Sequence, residues 1–275
     1  MGYIKRELAK ACALGLLGFN LWACGSQQAP ETSSVKVTNG RKALAQEFPS
    51  VVMLVMLTSQ GQGICTGTFV NDSQVLTAGH CVEGLDNNNL MLFYAAEING
   101  QLTPVARAQK FQRHPAYDIK LGVSPVDVSV ITFPAGTAPA QSQIASTSPS
   151  KEDVLTIIGY GNNQNFKDTT GKQGGSGAGV KRIGTNKVAA VAGGFIQFLG
   201  VPAAMNQLPE GDLVSSGSGD SGGPLFVGGK LAGVTSGGGL AETTIGLLSS
   251  SLYVDLNSSL VQPFLAQALK PSTTR

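Results

Sequence analysis

The chain has 275 residues, 42% of them hydrophobic and 13% charged, enough apolar material for one or two globular domains and too much for intrinsic disorder. Its 36 glycines and 13 prolines favour many tight turns, which suits an all-β architecture. A formal charge of +2 with no Lys/Arg cluster excludes an electrostatic footprint for nucleic acid, and two histidines, His80 and His114, are too few for a histidine-built zinc site.

Along the chain, Lys5, Arg6 and Lys10 precede an apolar run from Ala11 to Ala23. That run falls short of the roughly 20 residues a spanning helix needs, so residues 1–23 read as a signal peptide. The run ends in Leu21-Trp22-Ala23-Cys24, which resembles the lipobox of bacterial lipoproteins and implies lipidation of Cys24. Trp22 is unusual at its place; an ordinary secretory signal cleaved near Ala23 is the main alternative, and a retained anchor or misread start the remaining one. Residues 24–36 are polar and aperiodic and read as a linker or propeptide. Export would place the body in an oxidising compartment, either lipid-anchored at the cell envelope or periplasmic and secreted.

The body alternates short apolar runs with turn residues. Val51–Leu57, Leu90–Ala95, Val128–Phe133, Val154–Ile158, Leu225–Val227, Leu231–Thr235 and Thr244–Val254 have strand lengths. The glycine-rich Asn162–Gly179 reads as a mobile surface loop, and Ser258–Leu269 as a C-terminal helix carrying an apolar stripe, with Pro263 obscuring its start.

Two motifs carry chemistry: Leu76-Thr77-Ala78-Gly79-His80-Cys81 and Gly219-Asp220-Ser221-Gly222-Gly223-Pro224. A serine hydroxyl is a weak nucleophile and needs a base within hydrogen-bond reach. The oxyanion it creates needs backbone N–H donors. Glycines beside the serine let the backbone turn sharply.

Together these motifs resemble the chymotrypsin/trypsin family of serine proteases, over roughly Val37 to Leu269. The resemblance implies two six-stranded antiparallel β-barrels with a C-terminal helix. They would occupy a protease domain over 37–275, with the barrels near 37–145 and 146–255. It also implies Ser221 as nucleophile, His80 as general base and then acid, and the N–H groups of Gly219 and Ser221 as oxyanion hole. Ser236 matches a serine that lines the cleft and contacts the triad aspartate. Asp127 opens the alternating string Asp127-Val128-Ser129-Val130-Ile131, and its separations, 127 − 80 = 47 and 221 − 127 = 94, are close to the family's. Asp118, the competing carboxylate, then reads as solvated. His114 reads as a surface or packing residue. Cys65 and Cys81 match the family's histidine-loop disulfide; a metal pair would lack two further ligands. The family's disulfide beside the nucleophile is absent, with Gly217 standing where its cysteine would be, which implies a looser loop.

Val37-Thr38-Asn39-Gly40 resembles the family's mature start and follows Lys36. Cleavage after Lys36 by a separate protease would free the α-amino group of Val37 to pair with Asp220. An ordinary strand start after a linker is the alternative. Ser215 would form the base of the primary specificity pocket, with Gly238 as wall and Ser251 at the rear. The lack of an acidic residue there implies cleavage after apolar or aromatic residues. The expected protein is a monomeric, exported endopeptidase acting on protein or peptide substrates without cofactor. The rivals are a catalytically silent binding protein on the same fold and a surface lipoprotein acting in adhesion or assembly.

Overall fold

The computed structural model describes residues 39–269 apart from 45, 60, 99–100, 163, 168–172, 201–209 and 244–245. Cys24, Lys36 and Val37, and with them the expected lipidation and activation sites, lie outside the described residues.

The first half of the chain forms β1 (Arg41–Lys42), β2 (Val51–Thr58), β3 (Gly61–Phe69), β4 (Gln74–Thr77), β5 (Leu92–Ile98), β6 (Gln101–Arg107), β7 (Lys110–Arg113) and β8 (Ser129–Thr132). The second half forms β9 (Val154–Gly159), β10 (Gln164–Lys167), β11 (Gln173–Ser176), β12 (Arg182–Lys187), β13 (Ala190–Ala192), β14 (Phe195–Gly200), β15 (Pro224–Val227), β16 (Lys230–Thr243) and β17 (Gly246–Asp255). One antiparallel sheet runs β6-β5-β2-β3-β4-β8-β7, and a second runs β1-β12-β9-β15-β16-β17-β14-β13. Both sheets curl, giving the two-barrel, chymotrypsin-like architecture expected. Short edge strands such as β1 bring the second sheet to eight strands.

The period of two explains how the sheets fill. In β9, Leu155 and Ile157 enter the core of the second sheet with Ile196, Phe198, Leu225 and Tyr253. Ile158 and, just beyond the strand, Tyr160 join the cluster that fills the first sheet. There Phe69, Tyr94 and Phe133 pack with centroids 5.4–5.7 Å apart. Such tilted and edge-on contacts suit the ring quadrupoles.

Two expectations change. Asn162–Gly179 is not wholly loop, because β10 and β11 pair as an antiparallel hairpin from Gln164↔Ser176 to Lys167↔Gln173; backbone pairing needs no apolar pattern, so the polar sequence concealed it. The C-terminal helix, α1, spans only Gln262–Ala268, with Pro263 in its first two positions. Proline suits a helix start, where its missing N–H costs nothing, and so sets the boundary.

His114 takes the packing half of its expected role. It is buried, with its ring 5.1 Å from Phe264. The Ala116 N–H donates to Nδ1 at 3.2 Å, which leaves the proton on Nε2, 3.1 Å from the Leu260 carbonyl. The segment leading into α1 is thereby tied to the first sheet. Gln74 Nε2 donates to Ala268 O at the other end of the helix, at 2.9 Å.

Candidate active site

β4 ends at Thr77, and the chain turns through Gly79 into a single 3₁₀ turn over His80–Val82. This turn presents His80. Asp127, almost wholly buried, precedes β8 and faces it. The His80 N–H donates to Asp127 Oδ1 at 2.8 Å, and His80 Nδ1 lies 2.7 Å from Oδ2. The Ser236 hydroxyl donates to the same Oδ2 at 2.7 Å. The carboxylate thus lies within hydrogen-bond reach of three groups able to donate. The Tyr117 ring lies beside Gly79, where a Cβ would stand 3.2 Å from its Cγ and 3.1 Å from Asp127 Oδ1. Burial, reinforced by the Asp127 charge, pushes the Tyr117 phenol up to about 12. Asp118 is exposed and accepts from the Lys120 N–H at 2.9 Å, within a 3₁₀ turn.

Cys65, in β3, and Cys81 form the expected disulfide. Cys65, His80 and Cys81 place their ligand atoms within 4.8 Å of one another, but both sulfurs are spent on the bond. The bridge spans 16 positions, which in chain-entropy terms is worth about 3 kcal/mol. Cys65→Ser/Cys81→Ser is expected to lose about that much stability by urea unfolding. A loss below ~1 kcal/mol would show that the turn bearing His80 is held without it.

The loop bearing Ser221 lies between the sheets. Gly219 has φ +94° and Gly222 φ +76°, in the left-handed region that side chains avoid. A Cβ on Gly222 would stand 2.0 Å from Thr77 Oγ1 and 2.5 Å from Thr66 O. Asp220 is buried and accepts from the Gly161 and Gly217 N–H groups, each at 2.8 Å. Burial pushes its carboxyl up to about 7 despite these donors and the nearby Arg182 charge. Gly217 also accepts from the Asp220 N–H at 3.0 Å. These bonds tie Gly217 to Asp220 where the family's second disulfide is missing.

Ser215 and Ser251 are fully buried and Ser216 nearly so. The Ser216 N–H donates to Ser251 Oγ at 3.0 Å, and the two hydroxyls lie 3.1 Å apart. Gly238 pairs with Ser251 across β16 and β17, so Gly238, Ser251 and Ser216, the residue after Ser215, form one neighbourhood. A Cβ on Gly200, in β14, would stand 2.6 Å from Ser215 Cβ, so the missing side chain lets Ser215 pack directly against β14. Ser216, Gly200, Gly161 and Thr66 escaped sequence reasoning. Gly161 carried a turn signal in Gly159-Tyr160-Gly161-Asn162; the others carried none.

A histidine–aspartate pair on one curled antiparallel sheet, with a glycine-flanked serine on a tight loop of the other, defines the chymotrypsin-like class of serine peptidases. A family model described as Trypsin matches residues 37–256, and the chain belongs to the trypsin family. It is 28% identical over 207 residues to "Trypsin" of Saccharopolyspora erythraea, covering 74% of this chain and 86% of that protein. It is 27% identical over 227 residues to "Trypsin-like protease" of Streptomyces glaucescens, covering 79% and 76%. "Trypsin beta" of Drosophila erecta is 23% identical over 208 residues, covering 74% and 78%. The chain is thus a serine peptidase by family. No helix among the described residues is long and apolar enough to cross a membrane.

Proposed function

We propose that the protein is a secreted serine endopeptidase that cleaves peptide bonds through Ser221, His80 and Asp127. The observation carrying this reading is the bond between His80 Nδ1 and the buried Asp127 carboxylate, at 2.7 Å. It fixes the imidazole tautomer with Nε2 as the available base. Ser221 Oγ attacks the scissile carbonyl as His80 takes its proton. The Gly219 and Ser221 N–H groups stabilise the tetrahedral oxyanion. His80 then returns the proton to the leaving amine, and water resolves the acyl-enzyme by the same steps in reverse.

Active-site labelling with a fluorophosphonate, before and after cleavage at Lys36 and with Ser221→Ala as control, tests this. Labelling of the cleaved wild type alone supports both nucleophile and activation. A folded, cleaved chain that takes no label would instead be a binding protein on a peptidase fold.

Ser215, without charge at the pocket base, favours apolar or aromatic P1 residues. Such a pocket would process Lys36 poorly, so activation falls to a separate trypsin-like protease. With Cys24 upstream of that site, cleavage would also release the peptidase from any lipid anchor. Ser215→Asp is expected to shift kcat/KM toward Lys and Arg anilides, relative to Phe, by at least about tenfold. An unchanged ratio would remove Ser215 from the pocket base.

A further inference from the structure

Thr66, in β3, is fully buried and meets the nucleophile loop with both its backbone and its side chain. Its N–H donates to the Ser221 carbonyl at 2.8 Å. Its hydroxyl donates to the Gly219 carbonyl at 3.1 Å and accepts from the Tyr160 N–H at 3.1 Å. Its own carbonyl accepts from the Thr77 hydroxyl at 2.9 Å, three residues before His80. A single residue of the first sheet therefore holds the carbonyls of both residues proposed to supply oxyanion donors.

Holding those carbonyls matters because Gly219, without a side chain, permits more than one orientation of its flanking peptides. A trans peptide points its N–H and C=O in opposite directions. The Gly219 N–H shares a peptide plane with the Ser218 carbonyl, and that carbonyl accepts from the Asn162 N–H at 2.7 Å. The Asn162 bond fixes the plane on one side of Gly219, and the Thr66 hydroxyl fixes the plane on the other. Tyr160, which also donates to Thr66, lies two residues before Asn162. Its bond ties the turn that carries the Asn162 donor to the same hydroxyl. Gly161 between them donates to Asp220, at 2.8 Å, and closes the network.

We infer that Thr66 is a positioning residue for oxyanion stabilisation: its hydroxyl, between the Gly219 carbonyl and the Tyr160 N–H, sets the orientation of the Gly219 peptides. The inference rests on the reading of Ser221 as nucleophile and Gly219 as oxyanion donor. It adds a device on the first sheet that acts on a loop of the second.

The test compares wild type with Thr66→Val, which keeps shape and loses both hydroxyl bonds, and Thr66→Ser, which keeps both. The readouts are the fluorophosphonate labelling rate, kcat and KM on peptide anilides, and the affinity of a peptide aldehyde, whose adduct carries the oxyanion. For Thr66→Val, labelling rate and kcat are expected to fall roughly ten- to a hundredfold. KM should stay within about threefold and aldehyde affinity should weaken in step with kcat, whereas general loosening would move KM as well. Thr66→Ser should restore all three to within about threefold. Thr66→Ala, judged by the same outcomes, replaces a Thr66→Val chain that does not fold. A kcat within twofold of wild type, unchanged aldehyde affinity, or failure of serine to rescue overturns the inference while leaving the nucleophile in place. Turnover that persists in Ser221→Ala overturns the nucleophile reading itself, and this inference with it.

Discussion

Asp127→Asn is expected to lower kcat by about four orders of magnitude, the size known for this exchange in the family's triad. The hydrogen bonds around Asp127 give the reason. Oδ1 accepts from the His80 N–H, and Oδ2 faces both His80 Nδ1 and the Ser236 hydroxyl. An asparagine must turn its NH₂ toward one of these sides. Facing Nδ1, the NH₂ makes that nitrogen an acceptor and moves the imidazole proton to Nε2, so the base is lost. Facing the His80 N–H, it sets two donors against each other in a buried site. KM should change little, because Asp127 does not touch substrate. Steady-state kinetics on the cleaved enzyme decides the matter, and a loss below tenfold would transfer the role to another carboxylate. Ser236→Ala should cost far less, since two of the three donors remain.

Asp220 governs the second large effect. Its carboxyl is pushed up to about 7 in the folded chain by burial, against about 4 in an unfolded one. The folded state therefore holds the proton more tightly. The stability this contributes is complete below about pH 4 and is lost as the pH rises through about 7. A gap of about three units corresponds to on the order of 4 kcal/mol. Uncleaved protein should accordingly unfold at lower urea at pH 7.5 than at pH 4.5, and Asp220→Asn should abolish most of that difference. Cleavage after Lys36 would bring the Val37 ammonium to the carboxylate and lower its pKa, removing the neutral-pH loss. The remaining dependence would move to the alkaline side. An α-amino group titrates near 8, and pairing raises it, so its contribution is lost above that raised value. Coincident urea midpoints for uncleaved wild type and Asp220→Asn from pH 4 to 9 would refute the account.

The two-barrel architecture was legible in outline, and the structure brings His80 and Asp127 together as their strings implied. His80, Asp127 and Ser221 sit in strings whose glycines and flanking residues have few other reasons to occur together. The apolar strands announced themselves, as in Val51–Leu57 against the observed Val51–Thr58. β3 did not, because Gly61-Gln62-Gly63 opens it and Gly67 interrupts it, yet it carries Cys65 and Thr66. β6 is largely exposed, and β12 buries Gly184 and Asn186 beside Ile183; neither writes an apolar period of two into its residues. The network around Asp220 was illegible for another reason. Its donors are the backbone N–H groups of Gly161 and Gly217, and a backbone donor leaves no mark on residue type.

The pairing of β1 with β12 has a bearing on how the molecule is made. Arg41 pairs with Ile183, 183 − 41 = 142 positions downstream, so the first of the described strands to be synthesised belongs to the sheet completed later. The first sheet also ends unfinished, since Gln74 waits for Ala268 and His114 for Leu260. β1 and α1 thus each latch onto the part built from the other half of the chain. In a chain made from its N-terminal side, the core of the first barrel is incomplete until Val261, Leu265 and Ala268 at the start and within α1 are in place. The apolar interior of the first barrel stays open meanwhile to chaperones and to premature association.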